Sequence, residues 1–118
     1  MKKIKTIEEA FQVTGRPKVD FSNLPEDLRV YFENQYNAVV VTEAINNGWV
    51  ADYSNSNQKK WFPIFYMSPS GFVFDYSFYD CSLANAGDAS RLCFETEAAA
   101  DYAGKTFTEI YEKIILVK

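Results

Sequence analysis

Trp61-Phe62-Pro63-Ile64-Phe65-Tyr66-Met67, then Ser68-Pro69-Ser70, then Gly71-Phe72-Val73-Phe74-Asp75-Tyr76-Ser77-Phe78-Tyr79: two runs rich in aromatic and β-branched residues flank a short polar stretch. That arrangement predicts a β-hairpin. Proline at the second position of Ser68-Pro69-Ser70-Gly71 and glycine at the fourth suit a type I turn. Successive side chains of a strand point to opposite faces. Phe72, Phe74, Tyr76 and Phe78 are therefore expected on one face, and Val73, Asp75, Ser77 and Tyr79 on the other. The first run is apolar on both faces, as a central strand would be, yet Pro63 lacks an N–H for the ladder and points to an edge or a bulge. These two cues conflict.

Downstream of the hairpin, residues 80–90 read as a small-residue loop, and Arg91-Leu92-Cys93-Phe94 as a short third strand. Thr96 then has the side chain of an N-cap, with Glu97 in the first turn. Ala99, Tyr102, Ala103, Phe107, Ile110 and Ile114 recur at helical spacing, predicting one helix over 97–115. Gly104 within it costs about 1 kcal/mol relative to alanine, which points to close approach of another backbone.

Upstream, Thr6-Ile7-Glu8-Glu9 has capping-box spacing, and Gly15 with Pro17 ends a short helix near 6–14. Val19, Phe21 and Leu24 are expected to anchor the connector that follows. Pro25, Glu26 and Asp27 suit the start of a second helix, carried to Asn47 by Leu28, Phe32, Tyr36, Val39, Val40 and Ala44. Its weak stretch is Val39-Val40-Val41-Thr42, four β-branched residues that would also suit a strand. Residues 51–60 are polar and turn-forming. The fold expected is a single α+β domain over 1–118, a three-stranded antiparallel sheet (hairpin 61–79 plus strand 91–94) packed against helices near 6–14, 25–47 and 97–115.

The chain has 118 residues, 47% of them hydrophobic and 24% charged, which is a globular composition large enough for one core. Its net charge of −4 arises wholly in the second half, where residues 61–118 hold four basic and eight acidic side chains. A nucleic-acid binder usually carries a basic surface, and overall that signature is missing. No run approaches the roughly 18 apolar residues of a membrane span, and no apolar region follows the lysine-rich start, so a cytoplasmic location and no membrane partner are expected.

Histidine is absent, which removes the commonest general base and metal ligand. Cys93, between Leu92 and Phe94, reads as a buried inert thiol, and nothing near Cys81 in sequence would activate it. Asp75, Asp80, Asp88 and Glu95 could gather at the open end of the hairpin as oxygen ligands for a hard cation, but their spacing fits no cation loop and they read as solvated carboxylates. The five glycines are scattered singly, so no phosphate-cradling loop is present. Neither a cofactor, a metal site nor a catalytic residue is expected, and the reading is of a protein that is not an enzyme.

The aromatic hairpin is the feature that exceeds the needs of folding, since nine of the 19 residues from Trp61 to Tyr79 are aromatic. If exposed, Trp61, Tyr66, Tyr76 and Tyr79 beside Lys59, Lys60 and Arg91 would form a binding surface. Such rings serve as protein-interface anchors or stack single-stranded bases; covered by helices on both sides, they are core.

Three stretches together carry a resemblance: Glu43-Ala44-Ile45-Asn46-Asn47-Gly48-Trp49; Asn57-Gln58-Lys59-Lys60-Trp61-Phe62-Pro63 with Ser70-Gly71-Phe72; and Arg91-Leu92-Cys93-Phe94-Glu95-Thr96 with Ala100-Asp101-Tyr102-Ala103-Gly104-Lys105-Thr106-Phe107 and Tyr111. The chain resembles short uncharacterised proteins encoded by phages and prophages of anaerobic gut bacteria. The resemblance implies a phage setting, in the host cytoplasm, and no particular activity. Within it, the expected function is that of a non-enzymatic accessory protein that binds another protein, a host factor that it would inhibit or itself, its acidic half able to present carboxylates where phosphates would sit. Two alternatives stand beside it: a single-stranded nucleic-acid-binding module using the hairpin, and a virion or assembly component.

Overall fold

The computed structural model describes residues 1–87 and 89–118. Four helices and one hairpin follow in the order α1 (Ile7–Thr14), α2 (Glu26–Asn46), β1 (Lys60–Ser68), β2 (Gly71–Asp80), a 3-10 turn (Ser90–Leu92), α3 (Glu97–Thr106) and α4 (Thr108–Ile115). The class is α+β, as expected.

Each helix end has a local cause. Thr6 Oγ1 accepts from Glu9 N (3.1 Å), and Glu9 reaches back to Lys5 N (2.7 Å), one residue earlier than in the usual capping box. Gly15 closes α1 in the left-handed region at φ 70°. α2 runs unbroken through Val39–Thr42 because Val40, Val41 and Thr42 are buried, and tertiary packing outweighs their weak helix propensity. Asn47 takes the left-handed position that ends it. Its first turns are less buried than their periodicity predicts. Leu28 and Phe32 are exposed, as is Val19 in the connector, while Ala38, Val41, Ala44 and Ile45 form the buried stripe.

The C-terminal helix is two helices. The break falls at Phe107 (φ −115°, ψ 30°), whose ring is buried, and the Thr108 hydroxyl donates back to the carbonyls of Gly104 (2.6 Å) and Lys105 (3.2 Å). The bend lets α3 lie against both strands while α4 turns toward α2. Gly104 does mark a close approach, though to side chains rather than to backbone: a Cβ there would lie 2.8 Å from Phe74 Cε1 and 2.9 Å from Pro63 Cβ.

The predicted third strand is not found, and the sheet has two strands. Phe94 meets β1 in a single bridge, exchanging two hydrogen bonds with Trp61 (2.9 and 2.7 Å). Continued in register, the ladder would next pair Leu92 with Pro63, which has no N–H to give. The preceding residues instead wind into the 3-10 turn, with Leu92 N donating to Ala89 O, and the Asn46 amide takes the Cys93 carbonyl (2.9 Å). The conflict over β1 thereby resolves: apart from the bridge at Trp61 it is an edge strand, and Pro63 sits on that edge.

A bulge sets which rings face inward. Ile64 pairs with Tyr76 and Phe65 with Phe74, so Asp75 is an extra residue in β2. Strict alternation therefore fails at Asp75. Phe72 and Phe74 share the inner face with Ser77 and Tyr79, while Val73 shares the outer face with Tyr76 and Phe78. The expected single aromatic face of β2 is divided between the two sides of the sheet.

Candidate binding surface

The inner face is core. Phe65 stacks on Phe72 (ring centroids 4.9 Å apart) and lies 5.0 Å from Tyr111 of α4, Phe74 packs over Gly104, and Ser77 Oγ donates to Asp101 of α3 (2.6 Å). Trp61 and Tyr79 belong to this side as a cross-strand pair 4.9 Å apart, both half-buried, with Lys59 Nζ 4.7 Å above the Tyr79 ring.

The outer face is formed by three cross-strand rows: Phe62 with Phe78, Ile64 with Tyr76, and Tyr66 with Val73. The first row makes an edge-to-face ring contact at 6.4 Å. Tyr66, Tyr76 and Phe78 are 50%, 51% and 52% exposed. The helices that pack on the sheet, α3 and α4, do so on the inner side and leave Tyr66, Tyr76 and Phe78 exposed, whereas Phe62 is half-buried and lines a cavity of about 390 Å³ with Tyr31, Gln35, Ala86, Gly87 and Leu92. Met67, at the hairpin tip, is also exposed, but it pairs with Phe72 and so belongs to the other face. Isolated exposed apolar residues are ordinary, but a contiguous patch marks an interaction site.

The seven residues singled out from the sequence do not form one site. Tyr66 and Tyr76 lie on the outer face; Trp61, Tyr79 and Lys59 lie at the base of the inner one by register, although the Tyr79 ring is 5.3 Å from that of Phe78. Lys60 is removed from any surface, as a correction to that expectation. It is 0% exposed, its ammonium donating to the carbonyls of Asn55 (2.7 Å) and Cys81 and lying 5.1 Å from the Tyr53 ring centre. The polar loop before the hairpin folds over it because three donors on a buried cation need acceptors.

Arg91 is elsewhere. It lines a cleft of about 410 Å³ at the C-terminal end of α2 with Arg16, Glu43, Asn46 and Trp49. There Arg16 grips Glu43 through both oxygens (3.0 and 2.7 Å), which holds the Glu43 carboxyl below its usual range, with Arg91 adding a smaller effect in the same direction. No lysine or arginine stands on the outer face of the hairpin.

Phe78 is the residue that sequence reasoning missed, along with Phe62, Ile64 and Val73. The signal that would have found them is Asp75, a charge set within a run of rings. Of the four carboxylates that could have gathered, Asp75 is exposed at the bulge, Asp80 has a buried Oδ2, and Asp88 lies outside the described residues. Among the described residues no three cysteine or acidic side chains come together. Cys93 is buried, its Sγ 3.2 Å from the Tyr53 hydroxyl, and Cys81 is half-buried. Among the described residues, no helix is long and apolar enough to cross a membrane.

No family model, curated protein sequence or solved structure matches the chain.

Proposed function

We propose that this protein is a non-enzymatic binding protein that docks another protein on the outer face of its hairpin. The observation that supports the reading most is that Tyr66, Tyr76 and Phe78 are half exposed together in the rows Phe62–Phe78, Ile64–Tyr76 and Tyr66–Val73, with exposed Asp75 beside them in sequence. Interface cores are rich in aromatic residues and poor in charge, and anchors of this type dominate binding energies. The setting in a phage or prophage, and a host factor as the partner, rest on the sequence resemblance alone.

The same geometry weakens the nucleic-acid alternative. A single-strand channel needs cations beside its stacking rings. Of the three basic residues grouped from sequence, Lys60 is buried and Arg91 stands in the cleft with Glu43, which leaves Lys59, over the Tyr79 ring that lies 5.3 Å from Phe78, as the cation of the three nearest the rings. Of the acids in the second half, Asp101 is bonded to Ser77 and Glu109 pairs with Lys113 at 3.0 Å, while Asp75 is exposed next to Tyr76.

The test is affinity capture from a host lysate with the wild-type chain and a Tyr76→Ser, Phe78→Ser double variant as parallel baits. A captured protein depleted about tenfold or more on the variant is the expected result. Identical captured sets on the two baits would overturn the proposal.

A further inference from the structure

We infer that the cleft at the C-terminal end of α2 is a separate site for a small aromatic anion, its charged group paired with Arg91 and its ring laid on Trp49. No residue of the hairpin lines this cleft, so the site stands or falls independently of the outer face.

The last turn of α2 ties the walls together. Glu43 holds Arg16 of the connector through both oxygens (3.0 and 2.7 Å), and the Asn46 amide donates to the Cys93 carbonyl just after the 3-10 turn (2.9 Å). Trp49 N donates to the Asn46 carbonyl (3.2 Å). Three chain segments are thereby fixed to one helix end, and a site ordered before its ligand arrives loses little binding energy to ordering. The cleft volume of about 410 Å³ falls within the roughly 300–1,000 Å³ of small-molecule sites.

Charge selects an anion. The charged side chains lining the cleft are Arg16, Glu43 and Arg91, and Glu43 is engaged by Arg16. Arg91 is exposed and makes no hydrogen bond or ion pair among the described residues. One positive charge is therefore left unmatched, on a chain whose net charge is −4. The negative end of α2 is partly satisfied already, since the carbonyls of Glu43, Ile45 and Asn46 accept from the backbone N–H groups of Asn47, Lys2 and Trp49. The planar fork of a guanidinium matches the oxygens of a carboxylate or a phosphate.

Trp49 selects the ring. It is half-buried, and among the described residues it makes no ring contact and its indole N–H has no acceptor. Half-buried Val39 and exposed Val50 add apolar lining to the same cleft. An aromatic ring stacks on the free indole face. A neutral ring would leave Arg91 unmatched, and an aliphatic anion would leave Trp49 bare. A ligand that joins ring and anion satisfies both, whether its charge is a carboxylate, as in an aromatic acid, or a phosphate, as in a nucleoside monophosphate.

Titration of the ¹⁵N-labelled chain with two matched pairs, indole-3-acetate against indole-3-acetamide and adenosine 5′-monophosphate against adenosine, each to about 10 mM, tests this. The anion of at least one pair should shift the Trp49 indole resonance and the amides of 48–51 and 90–92. The Trp61 indole should stay in place, a readout that needs no variant. That anion should bind about tenfold or more tightly than its neutral partner. A preference in the first pair identifies a carboxylate ligand, and one in the second a phosphate. Arg91→Gln alters a side chain bonded to nothing, so the variant should keep the wild-type amide spectrum outside the cleft and lose the preference. Absence of shifts at the cleft with all four probes, equal affinities within both pairs, shifts confined to other segments, or an undiminished preference in Arg91→Gln would each overturn the site.

Discussion

Lys60 shows how one side chain can change its role between sequence and fold. Read in the chain, Lys59-Lys60 is a basic pair beside aromatic residues; folded, Lys60 fastens two loops, from 55 and from 81, to the base of the hairpin. A buried ammonium is tolerated where carbonyl oxygens replace its water. Lys60→Met, which keeps the stem and removes the donors, leaves those carbonyls without their partner, at a cost of about 1–3 kcal/mol. Urea denaturation should show a lower midpoint with unchanged slope. Partner capture by the folded variant should match that of the wild type. A midpoint unchanged within error would refute the fastening role. Nothing in the sequence marks this difference between Lys59 and Lys60, because burial depends on where a loop of ten polar residues returns.

At the scale of elements, most of the architecture was legible and two joints were not. The hairpin, α1 and α2 follow from patterns carried within each segment: turn residues, caps and apolar spacing. The division of residues 97–115 depends on Phe107 entering the core and Thr108 bonding backward, which no local propensity announces. The failed third strand was foreshadowed by Pro63, but only once the register placed Leu92 opposite it. The bulge at Asp75 matters most, since a single extra residue moves Tyr76 and Phe78 from the core side to the outside. Gly104 belongs to this scale as well, because its bare Cα seats α3 on the sheet. Gly104→Ala gains up to about 1 kcal/mol of helix propensity but drives a methyl into Phe74 and Pro63, for a net loss of about 1–3 kcal/mol. Thermal denaturation should show a reduced Tm; a raised Tm would mean that α3 and the hairpin are not in contact as described.

For the whole molecule, α3 and α4 pack on one side of a two-stranded sheet, and Tyr66, Tyr76 and Phe78 on the other stay exposed. Two strands with one covered face make a small core, so Ile4, α1 and α2 supply much of the remainder: Ile4 is fully buried and its carbonyl accepts from Tyr102 (2.7 Å). The C-terminal charge excess does not gather into a metal-binding cluster among the described residues. What distinguishes the surface is instead a group of exposed rings, Tyr66, Tyr76 and Phe78, on an acidic chain.

Hydroxyl-radical footprinting, comparing the chain inside cells that express it with the purified chain held dilute, measures the occupancy of that face without needing the partner's identity. The account predicts that Tyr66, Tyr76 and Phe78 are oxidised readily in the dilute chain and protected in the cell. Leu83 and Val50, exposed elsewhere, should react equally in both settings. Equal oxidation of Tyr66, Tyr76 and Phe78 in both would contradict it.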